Sequence, residues 1–482
     1  MELHLVVDPG QADLVGQLCR QIRGLIRGGH LAAGERLPPT RLLAAQLGLS
    51  RKTVAEAYAR LAYERLLEGR PGSGTFVARA APPPAEPRPS LASESGADAR
   101  IARWRALTLP LRHPAPQGGA RYEYIGGAPE PRLFPHEAWR RCMQHGLRQD
   151  AARSRGQYGP AEGLPELREA IARHLAFARG VRAEASEVLV TNGAQQALDL
   201  LARVLVEPGC TVAVEEPGYL QARLLLQAQG ARVVGVPVDA EGLIVERIPA
   251  EARLIYVTPA HQFPLGMPMS PARRRALLAH AQRHGAILVE DDYDSEFRYE
   301  GRPTDSLQGL DEQGRVAFVG SFSKTLSPSL RLGYLVAPRP LIEAVANAKH
   351  LADWHSPLPA QWALARFIAE GELRKHIGRC HQAYARRRAL LLEQLAGPLA
   401  PWFEAVPIEA GFHMAALACR PLDMAALLSL ARRVEVGLYP LDVFYAEGAP
   451  RQGLVLGFGA IEALDIPPSL ERVREVLLQL DG

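Results

Sequence analysis

GSFSKTLSPSLRLGYL, residues 320–335, sets Lys324 between two serines, with Arg331 seven residues on. The chain has only four lysines, the others being Lys52, Lys349 and Lys375, and arginine supplies the rest of its basic charge. A surface cation here could equally be an arginine. A Schiff base with an aldehyde needs a primary amine, which arginine cannot supply. Lys324 is therefore read as a covalent anchor.

RVAFVGSF, at the start of this stretch, is one of five short β-branched runs. The others are EVLVTNG, TVAVEE, LIYVTP and AILVEDD. Helical segments alternate with them, which predicts a largely parallel α/β sheet from about residue 120 onward. Candidate groups lie along the same runs. Ser321, Ser323 and Arg331 can grip an anion, Arg331 in bidentate fashion. Gly193, Ala194 and Gln195 stand between a strand and a helix, where backbone N–H groups bind phosphate. AILVEDDYDSEF ends a strand in Asp291, Asp292 and Tyr293, and EEPGY puts Tyr219 after a Pro-Gly turn, placed to stack on a ring. An aldehyde that needs a lysine, a carboxylate for a ring nitrogen and a phosphate site is pyridoxal 5′-phosphate (PLP).

The N-terminal region has a different character. Residues 1–80 hold eleven basic and seven acidic side chains, and this excess accounts for the whole net charge of +4. Leu42, Leu43 and Leu47 are predicted to share one helical face, closed by Gly48. Ser50 is placed to cap a second helix beginning at Arg51. Two helices joined by so short a turn predict a helix-turn-helix, with Arg51, Lys52 and Thr53 at the end that meets DNA. GRPGSGTFVA fits a β-hairpin wing. The Pro- and Ala-rich stretch APPPAEPRPSLASESGADAR reads as a linker, within which Trp104 could dock locally.

The remaining bounds exclude other classes. A chain of 482 residues predicts two or more domains. No apolar run is long enough to span a membrane, and MELHLVVDPGQ lacks the features of a secretory signal. Five scattered cysteines show no metal-ligand spacing, so no metal site and a reducing cytoplasmic location are expected. The fourteen histidines form no cluster in sequence. YARRRALLLEQL, residues 384–395, reads as a long helix with a solvated basic face.

Residues from IRGGHL to GSGTFV resemble the winged helix of GntR-type regulators, which implies DNA contacts from Arg41, Arg51 and Thr53, with Gly72 and Gly74 at the wing tip. From Tyr158 to Leu335 the order of motifs resembles the cofactor domain of fold type I aminotransferases. That resemblance makes Lys324 the PLP lysine, Asp291 the partner of the pyridine nitrogen and Tyr293 the contact to the ring hydroxyl. It makes Tyr219 the stacking residue, and Ser321, Ser323 and Arg331 phosphate ligands. Tyr158 matches a tyrosine that reaches the phosphate of the neighbouring subunit, which implies a head-to-tail homodimer.

The whole order resembles MocR/GabR-type transcriptional regulators: a winged helix over 1–79, a linker over 80–117 and an aminotransferase-like domain over 118–482. Its large subdomain is expected over about 160–350 and its small one over about 351–482. The implied function is PLP-dependent regulation of transcription at double-stranded promoter DNA, with PLP or an amine or amino acid as effector. The alternative is a working aminotransferase with a fused DNA-binding module. Val455 stands where such enzymes place a substrate-carboxylate arginine, and Gln221 where amino-acid-sensing relatives carry another; Arg223 or Arg451 could substitute. Ala260 and Leu265 also depart from the family wording.

Overall fold

The structure, a computed structural model, describes residues 3, 5–7, 13–70, 72–78, 97–107, 119–153, 156–300 and 305–481. It divides into two compact units, Met1–Ile101 and Ala102–Gly482.

In the first unit α1 (Leu14–Arg27), α2 (Thr40–Leu47) and α3 (Arg51–Tyr63) precede an antiparallel hairpin of β1 (Leu67–Arg70) and β2 (Gly74–Val77). Gly48 ends α2 at φ 64°, a left-handed conformation that suits glycine. Ser50 caps α3 by accepting from the Thr53 amide at 3.0 Å. Leu18, Ile22, Leu43, Val54 and Leu61 are fully buried and form the core of this unit. Leu42 departs from expectation: it is 57% exposed, because α2 is short and turns only Leu43 and Ala44 fully inward. Arg23 forks onto Glu64 at 2.8 and 3.0 Å, tying α1 to the end of α3.

Most of the expected linker lies outside the described residues. Within it stands a helix, α4 (Ala97–Ala106), and Trp104 there is 47% exposed rather than docked.

The second unit is built on eight strands. These are β4 (Val188–Thr191), β5 (Thr211–Glu216), β6 (Arg232–Asp239), β7 (Gly242–Leu243), β8 (Leu254–Val257), β9 (Ile287–Asp292), β10 (Val316–Ser321) and β11 (Gly333–Val336), preceded by a short strand, β3 (Tyr122–Glu123). Their order is β4-β11-β10-β9-β8-β5-β6-β7. Pairing is parallel from β10 through β9, β8 and β5 to β6, and antiparallel on both sides of β11 and at β7. Only β11 and β7 therefore run against the rest. The strands ending at Thr191, Glu216, Val257, Asp292 and Ser321 all finish at one edge of the sheet, where open α/β sheets bind ligands. Leu189, Val289, Val319 and Leu335 are fully buried beneath the helices Ala194–Leu205 and Arg339–Asp353.

A smaller sheet follows, of β12 (Phe403–Ala405), β13 (His413–Ala418), β15 (Tyr439–Pro440) and β16 (Gly453–Gly457), while β14 (Val436–Gly437) pairs with β3. Two segments sit away from the expected subdomain limits. Tyr122 and Tyr124 belong to the core of the smaller sheet, whereas Leu358–Ala369 is a helix in the core of the large one. The basic helix also differs from expectation. Arg387 is buried, holding Glu130 at 2.5 Å, and Arg388 pairs with Glu300, so of its three arginines only Arg386 is solvated.

Candidate functional site

β10 ends at Ser321, and Lys324 lies in the turn just beyond it. Its Nζ donates to the Gly127 carbonyl. Burial lowers the proton affinity of this amine, while the charges of Asp294 and Asp291 oppose that shift. Ser321 is buried, and its Oγ accepts from the Ser323 amide at 3.3 Å.

On β9, Asp291 accepts from the Tyr256 hydroxyl at 2.7 Å through Oδ2. Its Oδ1 is buried and has no hydrogen-bond partner among the described residues. Burial pushes this carboxyl up to about 7, against the lowering effect of the Tyr256 hydrogen bond. An orphaned buried acceptor is costly, and a ring N–H would satisfy it. Tyr219 caps the helix Leu220–Ala228, its ring stacked 6.5 Å from Tyr256 and edge-on to Phe263 at 5.8 Å. Tyr293 donates to the main-chain carbonyl of His261 at 2.8 Å.

Gly193 precedes the helix Ala194–Leu205 with φ 91° and no side-chain cap, leaving the first-turn amides of Ala194 and Gln195 open to an anion. Arg331 donates to the Asn192 carbonyl at 2.6 Å, and a Cβ on Gly193 would come within 3.2 Å of its guanidinium. Glycine thus lets the arginine lie against the helix start. Lys349, fully buried, holds Asp353 at 2.7 Å, and Asp353 in turn accepts from Asn192 at 2.7 Å and Gln196 at 2.6 Å. A second of the four lysines thus ties Asp353 to Asn192 and Gln196 on either side of Gly193. Tyr158 is 72% exposed and packs against Trp354, ring centroids 4.0 Å apart and planes tilted by 45°.

The donor set fits PLP: an amine, an unpaired carboxylate oxygen, an aromatic face and an anion cup all stand at one sheet edge. Sequence reading missed Tyr256, Asp294 and His413. Tyr256 and Asp294 lie inside the quoted runs LIYVTP and YDSEF, but nothing local marks either one. His413 arrives from β13, and contrary to the reading of scattered histidines its ring lies 4.3 Å from that of His261.

The expected substrate clamp is absent from its usual place. Val455 is buried on β16 among Leu265, Met267, Ala415 and Leu441. Gln221 is half-buried and Arg451 exposed. Arg223 is buried between Glu216, at 3.1 Å, and Glu447, so both sides of its guanidinium are engaged.

In the first unit Arg41, Arg51 and Lys52 are exposed at the starts of α2 and α3. The Thr53 hydroxyl lies 2.8 Å from that of Ser50, so part of its bonding capacity serves the cap. Gly72 and Gly74 have φ 73° and 115° at the hairpin tip, as the wing turn requires.

Residues 14–77 match the gntR family of bacterial regulatory proteins, and residues 127–452 match aminotransferase class I and II. The probable rhizopine catabolism regulatory protein MocR of Rhizobium meliloti is 38% identical over 97% of this chain and 94% of its own length. The HTH-type transcriptional regulator TauR of Rhodobacter capsulatus is 35% identical over 99% of each chain. Among solved structures, an archaeal alanine:glyoxylate aminotransferase superposes with a TM-score of 0.70 at 28% identity, covering 74% of this chain and 91% of that one. The gntR domain implies DNA binding, and the aminotransferase fold implies dependence on PLP. With both domains present and full-length relatives that are regulators, the chain belongs to the MocR/GabR-type family of transcriptional regulators.

Proposed function

We propose that this protein regulates transcription by binding promoter DNA through α3 and the wing, and that PLP held at Lys324 makes that binding responsive to PLP itself or to an amine. The observation that carries the cofactor part is the unpaired Oδ1 of Asp291 at the same sheet edge as Lys324. When bound, PLP supplies an aldehyde carbon and an electron-withdrawing ring. Asp291 accepts the ring N–H, Tyr219 covers a ring face, and Tyr293 meets the ring hydroxyl. Arg331, Ser321, Ser323 and the amides of Ala194 and Gln195 bind the phosphate. Burial favours the unprotonated form of Lys324, the form that can attack an aldehyde.

Val455 supports a sensor over a working aminotransferase. A buried apolar side chain cannot orient a substrate carboxylate, and Arg223 is already paired. Exposure of Tyr158 supports the dimer, since this ring, packed on Trp354, still presents most of its surface where a second subunit could meet it.

The test is spectral titration with PLP, then with a panel of amines, alongside promoter binding. A visible absorption band in wild type that is lost in Lys324→Ala is expected, together with a change of DNA affinity when PLP or an amine is added. No band with excess PLP removes the cofactor reading; rapid turnover of an amino acid restores the enzyme alternative.

A further inference from the structure

Four aromatic rings meet beside the candidate cofactor site. Phe263 lies edge-on to Tyr219 at 5.8 Å, to Tyr293 at 6.1 Å and to Phe444 at 5.0 Å. Each of the four is half-buried, as is Lys324. Rings that touch one another and still keep contact with solvent wall a recess, whereas rings of a closed core lose that contact. Phe444 comes from the segment between β15 and β16, which is pinned to the turn that carries Tyr219. Its carbonyl accepts from the Gly218 amide at 3.2 Å, and Glu216 Oε1 accepts from the amides of Ala446 at 2.7 Å and Glu447 at 3.1 Å.

Behind Phe444 the wall is apolar. Phe444 and Tyr445 pack on a buried cluster that includes Leu265, Met267 and Val455. That cluster reaches the lysine through two glycines. A Cβ on Gly126 would lie 3.7 Å from Val455 Cγ1, and a Cβ on Gly127 would come within 2.5 Å of Lys324 Nζ, which donates to the Gly127 carbonyl. Val455 and Lys324 therefore both lie against one glycine pair. Basic groups around this wall are spent or turned to solvent. Arg223 gives one side of its guanidinium to Glu216 and the other to Glu447, and Arg451 is exposed at the far end of the Phe444 segment. His413, 5.4 Å from the Phe263 ring, is kept neutral by burial. A carboxylate brought against this wall would lose its hydration without a compensating charge, whereas an apolar side chain would gain by leaving water.

We propose that the effector of this protein is a primary amine with an aromatic or branched aliphatic side chain and no carboxylate, and that Phe263 and Phe444 select it by receiving that side chain. Its nitrogen then lies towards Lys324 and its side chain towards Phe444. This rests on the reading that Lys324 holds PLP, and it takes the amine branch of that reading over PLP as the sole effector.

The test is a titration of the visible band of the PLP-loaded, full-length protein with three amines: 2-phenylethylamine, L-phenylalanine, which adds only a carboxylate, and ethanolamine, which lacks an apolar side chain. The midpoint for 2-phenylethylamine should lie about tenfold or more below either of the others. Phe444→Ala should raise that midpoint about tenfold and leave the ethanolamine midpoint within about twofold. An L-phenylalanine midpoint equal to or below that of 2-phenylethylamine overturns the proposal, and so does an ethanolamine midpoint that matches it. An unchanged 2-phenylethylamine midpoint in Phe444→Ala overturns it too. Should that variant fail to fold, the comparison of the three amines on wild type decides alone. A band that none of them shifts also overturns the proposal and leaves PLP sensing standing. A wild type without a band is a different failure, that of the PLP reading itself, and this inference falls with it.

Discussion

The two units solve recognition in opposite ways. In the winged helix the proposed DNA contacts are exposed and close in sequence: Arg51 and Lys52 stand beside the Ser50 cap, and Gly72 and Gly74 shape one hairpin. In the aminotransferase-like unit the proposed cofactor residues range from buried, at Asp291 and Ser321, through half-buried, at Lys324, Tyr219 and Tyr293, to exposed, at Gln195 and Arg331, and they gather around strand ends spread between Thr191 and Ser321. A phosphate backbone is met in water by charges that need only be presented. A cofactor is held by groups whose proton affinities must be set, and burial does the setting, as at Asp291 and Lys324. Exposed, local sites are legible as short motifs; buried, assembled ones are legible only in part.

The largest expected effect lies in the buried unit. Lys324→Ala should abolish the visible band while leaving basal DNA affinity within a few-fold of wild type. A matching loss of DNA binding would show that the two units cannot be separated. Next is Arg331→Ala: loss of a charge-assisted contact of about 1.5–3 kcal/mol should weaken PLP about 10- to 150-fold in an equilibrium titration. In the exposed unit Arg51→Ala should cost about 1–3 kcal/mol of promoter affinity by mobility shift, with the visible spectrum unchanged. Ser50→Ala removes the cap of α3 and should lower stability by about 1 kcal/mol in denaturant unfolding.

A further effect is one of pH. Burial pushes Asp291 and Glu215 each up to about 7. A carboxyl raised in the folded state contributes stability that is complete below its unfolded value and fades as pH rises through the folded one. The apo-protein should therefore lose a few degrees of Tm between about pH 4 and 8, and Glu215→Gln should flatten part of that slope. An unchanged slope in that variant would take Glu215 out of the titrating set.

Much of this was legible in particular residues. Gly48 and Ser50 announce the boundaries of α2 and α3 because a left-handed C-cap and an oxygen-bearing N-cap are local requirements. The five β-branched runs all form strands, since a strand buried on both faces must be apolar along its length. Lys324 stood out because its chemistry is closed to arginine. Other features were out of reach. The strand β6 escaped notice, and the direction of β11 follows from pairing rather than from its own residues. Arg387 looks like a solvated charge until Glu130 meets it from more than 250 residues away in sequence.

By itself the sequence determined two architectures, the order of the motifs and the amine proposed as the aldehyde anchor, because each rests on local backbone preference or on the chemistry of one side chain. Only the tertiary structure decided which groups lose water and which charges share a cavity. Asp291 and Asp294 are both aspartates in one short motif, yet one is left with a bare oxygen and the other is bonded to a histidine. That difference arises from Tyr256, His261 and Phe412, which chain folding brings from two segments, residues 256–261 and the turn at Phe412. Electrostatic character depends on distance and burial, and neither is written in the order of residues.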